Sequence, residues 1–157
     1  MKKNFGGLMK IKYTGSRLAY ICIVSALALF SSLAHGEQKQ RLGEWDVHYM
    51  VVNTPFLTPE VAADYGIMRS KYNALVNISV LDAKSGEAQQ VAISGEARNL
   101  IGNNRKLTFK KVAEADAIYY LAVLPFRDQE TYRFTINVQR GNITQTLNFQ
   151  QKMYVDE

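Results

Sequence analysis

Few residues of this chain are of the types that do chemistry, and their spacing narrows the choice further. Past residue 36 one imidazole remains, His48, and no cysteine, because Cys22 is the single one in the chain. A zinc centre takes three or four nitrogen or sulfur ligands, often in closely spaced pairs. A lone histidine is therefore read as a polar-face residue, and no metal is expected. The alternating Asp and Asn of a calcium loop are absent as well. The serines of this region are Ser70, Ser79, Ser85 and Ser94. None sits in the G-x-S-x-G turn that presents a nucleophile, and only His48 could act as base; no spacing favours a Ser70–His48 pair. Asp46, Glu60, Asp64 and Glu96 are too scattered to nominate a convergent carboxylate pair for glycoside hydrolysis. The "GNN" stretch is a turn, not a phosphate cradle. No catalytic residue and no cofactor are nominated.

Recognition chemistry is better represented. In "LTPEVAADYGIMRSKY" (57–72), Arg69 and Ser70 sit on a short tether between a helical segment and a strand. A guanidinium held that way makes planar, two-point hydrogen bonds that lysine cannot copy. Its expected partner is a carboxylate or other anion, either internal (Asp64 or Glu96) or belonging to a ligand. Tyr65, Tyr72 and Arg98 are of types enriched at interfaces. Asn99 joins them, although it equally suits a turn fixed by its own side chain. The candidate binding residues are thus Arg69, Ser70, Tyr65, Tyr72, Arg98 and Asn99.

The elements that hold these residues follow from local pattern. Thr58 suits an N-cap, Pro59 the first helical position, Glu60 the positive end of the dipole and Gly66 the left-handed position that ends a helix. The helix is about two turns long and is expected to cross from one sheet to the other. Elsewhere short runs alternate with period two. Examples are Trp45, Val47, Tyr49 and Val51; Ala74, Val76, Ile78 and Val80; and Tyr132, Phe134, Ile136 and Val138. The run "AIYYLAVLPF" is apolar on both faces, as in a strand covered on both sides. Turn clusters such as "DAKSGE", "IGNNRK" and "RGN" separate the runs. Gly95 interrupts one of them and marks either a bulge or a close backbone approach. Seven strands with one short helix between the first two make an all-β protein, an antiparallel sandwich. An eight-stranded barrel competes on pattern alone.

Charge locates the chain. Residues 1–36 hold five cations and no acid, so the net +5 belongs there, and residues 37–157 balance 14 acids with as many bases. No basic patch suggests nucleic acid. The N-terminal segment reads as a secretory leader, with basic residues, then "LAYICIVSALALF", then the small residues of "SSLAHG". Cleavage is expected after Ala34 or Gly36, and Met9 gives the more ordinary start. The domains are then a signal peptide over 1–36 and a β-sandwich over 37–157. The alternative is an uncleaved anchor in the inner membrane, because residues 18–36 lack charged side chains and could just span a bilayer. After cleavage no stable span remains.

Several pieces of the chain also resemble a known family. "LTPEVAADYGIMRS", "RNL" and "IYYLA" are the most distinctive, with "SGEARNLIGNNRKLTFKKV" and "LNFQQKMY" beside them. They look like domain-of-unknown-function family 4426, small exported proteins of gammaproteobacteria. The resemblance implies a periplasmic, immunoglobulin-like sandwich. It implies no activity, ligand or partner, so no site residue is carried over. The expected function is a non-catalytic periplasmic binding or accessory domain that takes a periplasmic protein or envelope component. It would do so through the 54–72 segment or an exposed sheet edge. The alternatives are a carrier with a cavity between its sheets, and a hydrolase with His48 beside a serine and a buried acid.

Overall fold

Alternation becomes strand throughout a computed structural model that describes residues 38–155. The expected leader, its cleavage points and the anchor alternative lie outside the described residues. Nine strands run through the described chain: β1 (Gln38–Leu42), β2 (Trp45–Asn53), β3 (Asn73–Asp82), β4 (Ala92–Asn99), β5 (Asn104–Leu107), β6 (Lys110–Glu114), β7 (Ala117–Pro125), β8 (Thr131–Arg140) and β9 (Ile143–Lys152). Helix α1 (Pro59–Tyr65) follows a 3-10 turn at Thr54–Phe56. One sheet has the order β1-β2-β3-β7-β6 and the other β5-β4-β8-β9. Every pairing is antiparallel. Two separate sheets make a sandwich and not a barrel.

Nine strands replace the expected seven for two local reasons. "QKQRL" of β1 is polar and exposed, so it carries no alternating signal. The stretch Lys106–Lys110, where Leu107 and Phe109 alternate with Lys106, Thr108 and Lys110 as in one strand, belongs to two strands. β5 ends at Leu107, the chain steps between sheets at Thr108 and Phe109, and β6 begins at Lys110.

Inward residues from both sheets fill the core. Val47, Val76, Ile78, Val91, Leu107, Tyr120, Phe134 and Ile136 are buried, and Tyr49, Ile93, Phe109 and Ile118 pack partly buried against them. Phe149 stacks on both Tyr49 and Phe134, with ring centroids 4.4 and 4.5 Å away. Each fully buried side chain of this size contributes about 1.5–3 kcal/mol. Gly95 marks a close approach, not a bulge, for β4 stays in register with β8 across it. A Cβ at Gly95 would lie 2.5 Å from Ile136 Cδ1 and 2.9 Å from the Thr135 carbonyl oxygen.

The expected crossing of the helix between sheets is corrected by the pairing of β2 with β3. Both strands belong to the five-stranded sheet, so the connection leaves that sheet and returns to it. Leu57 and Tyr65 instead share a cleft with Met50, Leu75 and Leu121 on the sheet's outer face. Leu75 points outward from β3 and is still only 5% exposed. The segment therefore covers an apolar strip of the outer face. That cover is why β7 carries Leu121 on the side away from the core.

Candidate binding surface

A buried hydroxyl closes the 54–72 segment. Thr54 is fully buried, and its Oγ1 accepts from the Ser70 N–H at 2.9 Å and donates to the Ser70 carbonyl at 3.0 Å. Ser70 Oγ in turn accepts from the Tyr72 N–H at 3.2 Å. The Phe126 N–H donates to the Tyr72 carbonyl at 2.9 Å, which ties the exit of the segment to the end of β7. Within the segment, Thr58 Oγ1 accepts from the Val61 N–H at 3.3 Å, and Gly66 ends α1 with φ of 67°.

Arg69 is exposed and donates from a terminal guanidinium nitrogen to the Pro55 carbonyl at 3.0 Å. The expected Asp64 or Glu96 partnership is thus replaced by a backbone carbonyl; Glu96 accepts from Asn104 Nδ2 at 2.7 Å. Arg69 still acts at longer range. The Glu60 carboxyl is held below its ordinary value first by its own backbone N–H, then by the Thr58 hydroxyl, with a smaller effect from Arg69. Tyr65 pins the helix to β6. Its hydroxyl donates to the Glu114 carboxylate, which raises the tyrosine's pKa, and Lys110 Nζ donates to the Tyr65 carbonyl at 3.1 Å.

Asn99 is buried at the end of β4. Its Oδ1 accepts from the Asn103 N–H at 2.8 Å, and its Nδ2 donates to Glu130 at 2.6 Å. Glu130 also accepts from the Arg127 N–H at 2.9 Å. Burial pushes the Glu130 pKa up. The Asn99 amide, the Arg127 N–H, the Tyr132 hydroxyl and Arg105 outweigh that and hold it below the ordinary range. Tyr132 is pushed up, chiefly by burial. Arg98 lies exposed beside this network.

Register decides which loops are neighbours. Asn53 pairs with Ala74, Asn73 with Pro125, Arg98 with Asn104, Asn99 with Tyr132 and Thr131 with Lys152. The ends of β2, β4, β7 and β9 and the starts of β3, β5 and β8 therefore share one end of the sandwich. The loops of this end expose Phe56 (74%), Met68 (75%), Tyr72, Leu100, Ile101 (84%) and Tyr154. Exposed cations accompany them: Arg69, Lys71, Arg98, Arg105, Arg127 and Lys152. Lys71 Nζ lies 5.6 Å from the Tyr72 ring centroid and Lys152 Nζ 5.1 Å from that of Tyr154. Of the acids in the 126–130 loop, Glu130 is engaged as above and Asp128 accepts from the Val155 N–H at 3.0 Å. The opposite end carries Glu44, Asp46, Asp82, Glu87, Glu114 and Asp116, with Arg41, Lys84 and Arg140 among them.

Five of the six nominated residues, Arg69, Ser70, Tyr72, Arg98 and Asn99, come to this end; Tyr65 lies away from it on the outer face. Sequence reading missed Phe56, Met68, Leu100, Ile101 and Tyr154, because apolar residues in loops obey no period. The signal available was the apolar pair Leu100-Ile101 inside a turn cluster, where burial has no strand or helix to act through.

A second concavity, of about 490 Å³, lies on the outer face and is lined in part by His48, Asn77, Ser79, Asp116 and Tyr119. Ser79 stands opposite His48 across β2 and β3, but its hydroxyl donates to the Ile118 carbonyl at 3.1 Å, and Asp116 is exposed. Asn77 Oδ1 is buried without a hydrogen-bond partner among the described residues. No three His, Cys, Asp or Glu come together there, or elsewhere among the described residues, to hold a metal ion. No described helix is long and apolar enough to cross a membrane.

The fold and this surface define a two-sheet β-sandwich domain whose exposed apolar residues gather at one end. The chain belongs to the family called Domain of unknown function (DUF4426), whose model matches residues 39–156. It is similar to the crystal structure of a DUF4426 family protein from Pseudomonas aeruginosa PAO1, at 39% identity and a TM-score of 0.69, over 79% of this chain and 99% of that one. It is also similar in fold to FetP of uropathogenic E. coli strain F11. One FetP structure, of protein expressed in the E. coli periplasm, is 12% identical with a TM-score of 0.56, over 79% of this chain and 100% of the other. A copper-bound FetP variant is 13% identical with a TM-score of 0.55, over 74% and 93%. No curated protein matches the chain.

Proposed function

We propose that this chain is an exported, periplasmic, non-catalytic binding domain that docks a partner protein through the apolar, basic end of its sandwich. One observation carries the reading: six large apolar side chains stand exposed on the loops of a single end, with six cations among them. Exposed apolar patches ringed by polar groups mark interaction sites, and Phe, Tyr, Met and Arg are the types enriched in them. The cations call for a partner surface that is apolar at its centre and acidic at its rim. Export rests on the leader-like N-terminal segment. The non-catalytic part rests on the cavity beside His48, where the facing serine is engaged with a carbonyl and the carboxylate is solvated.

We further infer an immunoglobulin-like topology. β2, β3, β7 and β6 follow the order of immunoglobulin strands A, B, E and D, and β4, β8 and β9 follow C, F and G. β5 stands as an added strand beside C and β1 as one beside A. Buried Tyr132, next to the start of β8, occupies the position of the tyrosine that fixes the corner before strand F.

The docking test is capture from a periplasmic extract by the wild type and three variants. Met68→Glu and Ile101→Glu should lose the captured protein. Ile143→Glu, at an equally apolar exposed site on the opposite end, should keep it. Capture that all three variants retain, or that all three lose, overturns the assignment of the surface.

A further inference from the structure

The outer face of the four-stranded sheet sets two arginines against each other. Arg98 of β4 and Arg133 of β8 are direct cross-strand partners, and both are exposed. Cβ atoms so placed are about 4.5–5.5 Å apart, and like charges there destabilise the pair. A carboxylate between them would relieve this, and the nearby acids are occupied elsewhere. Glu96, two residues before Arg98 on the same face, accepts from Asn104 Nδ2 at 2.7 Å and stands opposite Lys106. Glu130 is taken by Asn99 and the Arg127 N–H. Arg98 has no hydrogen-bond or ion-pair partner among the described residues, where the ion pairs belong to Asp46. Arg133 donates from Nε to Gln150 at 3.3 Å, which leaves its two terminal nitrogens unengaged. Both arginines line a hollow of about 480 Å³, together with Glu96, Thr135 and the turn at Leu100 and Gly102. Arg98 Nη2 lies 3.7 Å from where a Cβ of Gly102 would stand, so its guanidinium rests against that turn.

We propose that this hollow is an anion site and that its ligand is a phosphate monoester. Two guanidiniums bring two positive charges and two planar forks of donors. A phosphate monoester carries about −1.5 to −2 charges near neutral pH, with three acceptor oxygens around one atom. Both forks can therefore close on a single centre, and the like-charge pair becomes a clamp. A carboxylate has one charge and two oxygens, which satisfy one fork. The same phosphate group arrives either on a soluble ester or as the headgroup of phosphatidic acid. Arg98 is shared with the apolar end, but Arg133 and Thr135 are not. No partner protein enters the test, so the site stands or fails independently of the docking surface.

Titration with glycerol 3-phosphate at constant ionic strength, followed by amide chemical shifts, tests this. The signals of Arg98, Leu100, Gly102 and Arg133 should move together and saturate, and acetate should bind far more weakly. Arg98→Gln and Arg133→Gln should each weaken binding about tenfold. Lys84→Gln removes the same charge from an exposed turn at the opposite end and should leave binding unchanged. Without ligand, each arginine variant should melt no lower than the wild type, because it removes a like-charge pair; this separates lost binding from lost folding. Flotation with phosphatidylcholine vesicles, with and without phosphatidic acid, distinguishes the sources. Saturable glycerol phosphate binding with no flotation assigns a soluble ester. Flotation that needs phosphatidic acid and both arginines assigns the lipid headgroup. Failure of both probes overturns the proposal, as does acetate binding equally well or binding that either arginine variant retains. Shifts spread over all exposed cations of the wild type overturn it without recourse to a variant.

Discussion

Thr54 uses one hydroxyl twice, accepting from one backbone group of Ser70 and donating to the other. Valine has nearly the same shape and makes neither bond. Thr54→Val leaves both groups without a partner and should cost about 2 kcal/mol, read as a lower urea midpoint with an unchanged slope. Thr54→Ser keeps both bonds and should cost less. Glu130 gives a pH-dependent counterpart. Its pKa is lower in the folded chain than in the unfolded one. Its contribution is therefore full above the ordinary glutamate range and is lost as pH falls through the folded value. Glu130→Gln should destabilise the protein at neutral pH, and its difference from wild type should shrink on acidification, followed by urea titrations at the two pH values. At this scale the positions were legible and the partners were not. Arg69 stood out by type and by its tether, yet its hydrogen bond goes to the Pro55 carbonyl. Every residue but the last in a chain offers such a carbonyl, so the sequence does not mark which one lies within reach.

The local chemistry of α1 was fully written in the sequence. Thr58 caps it, Pro59 opens it and Gly66 closes it in the left-handed conformation. Where the helix lies was not written, because that depends on which strands β2 and β3 pair with, a matter settled by residues far apart in the chain. The same limit hid the break between β5 and β6. Two residues that step from one sheet to the other leave the alternation on either side intact. Gly95 illustrates an element-scale constraint that was only half legible, since a glycine in a strand signals either a bulge or a neighbour pressed against the backbone. The neighbour is Ile136, whose Cδ1 would meet a new Cβ at 2.5 Å with the Thr135 carbonyl oxygen close behind. Gly95→Ala should destabilise the fold by about 1–3 kcal/mol through overpacking, measured by thermal or urea unfolding. An alanine tolerated without loss would mean that β4 and β8 are further apart than this.

At the scale of the whole molecule, an all-β fold was legible because most strands repeat the same instruction, apolar in and polar out; that pattern does not separate two layers from a closed barrel. The inward residues of the alternating runs accordingly lie in one cluster. Ile78 is fully buried at the middle of that cluster, and Ile78→Ala should cost about 2–5 kcal/mol through lost burial plus the cavity left behind. A midpoint near that of wild type would show the site collapsing around the smaller residue. The apolar end was less legible. It is assembled from loops separated by up to 101 residues, as the bond from Asn53 Nδ2 to the Tyr154 carbonyl shows. Charge has a comparable hidden arrangement. Over 37–157 acids and bases cancel in number, but not in place: six exposed cations stand against Asp128 and Glu130 at the apolar end, and six acids against Arg41, Lys84 and Arg140 at the other. A domain with its charges offset that way carries an electric dipole along its strands. In the field of a charged surface it feels a torque before it feels contact, and it turns so that one end leads. The torque reaches about a Debye length, roughly 10 Å in 0.1 M salt. In dilute medium the molecule should arrive already aligned, and in concentrated salt it should tumble in at random and find its orientation only on collision.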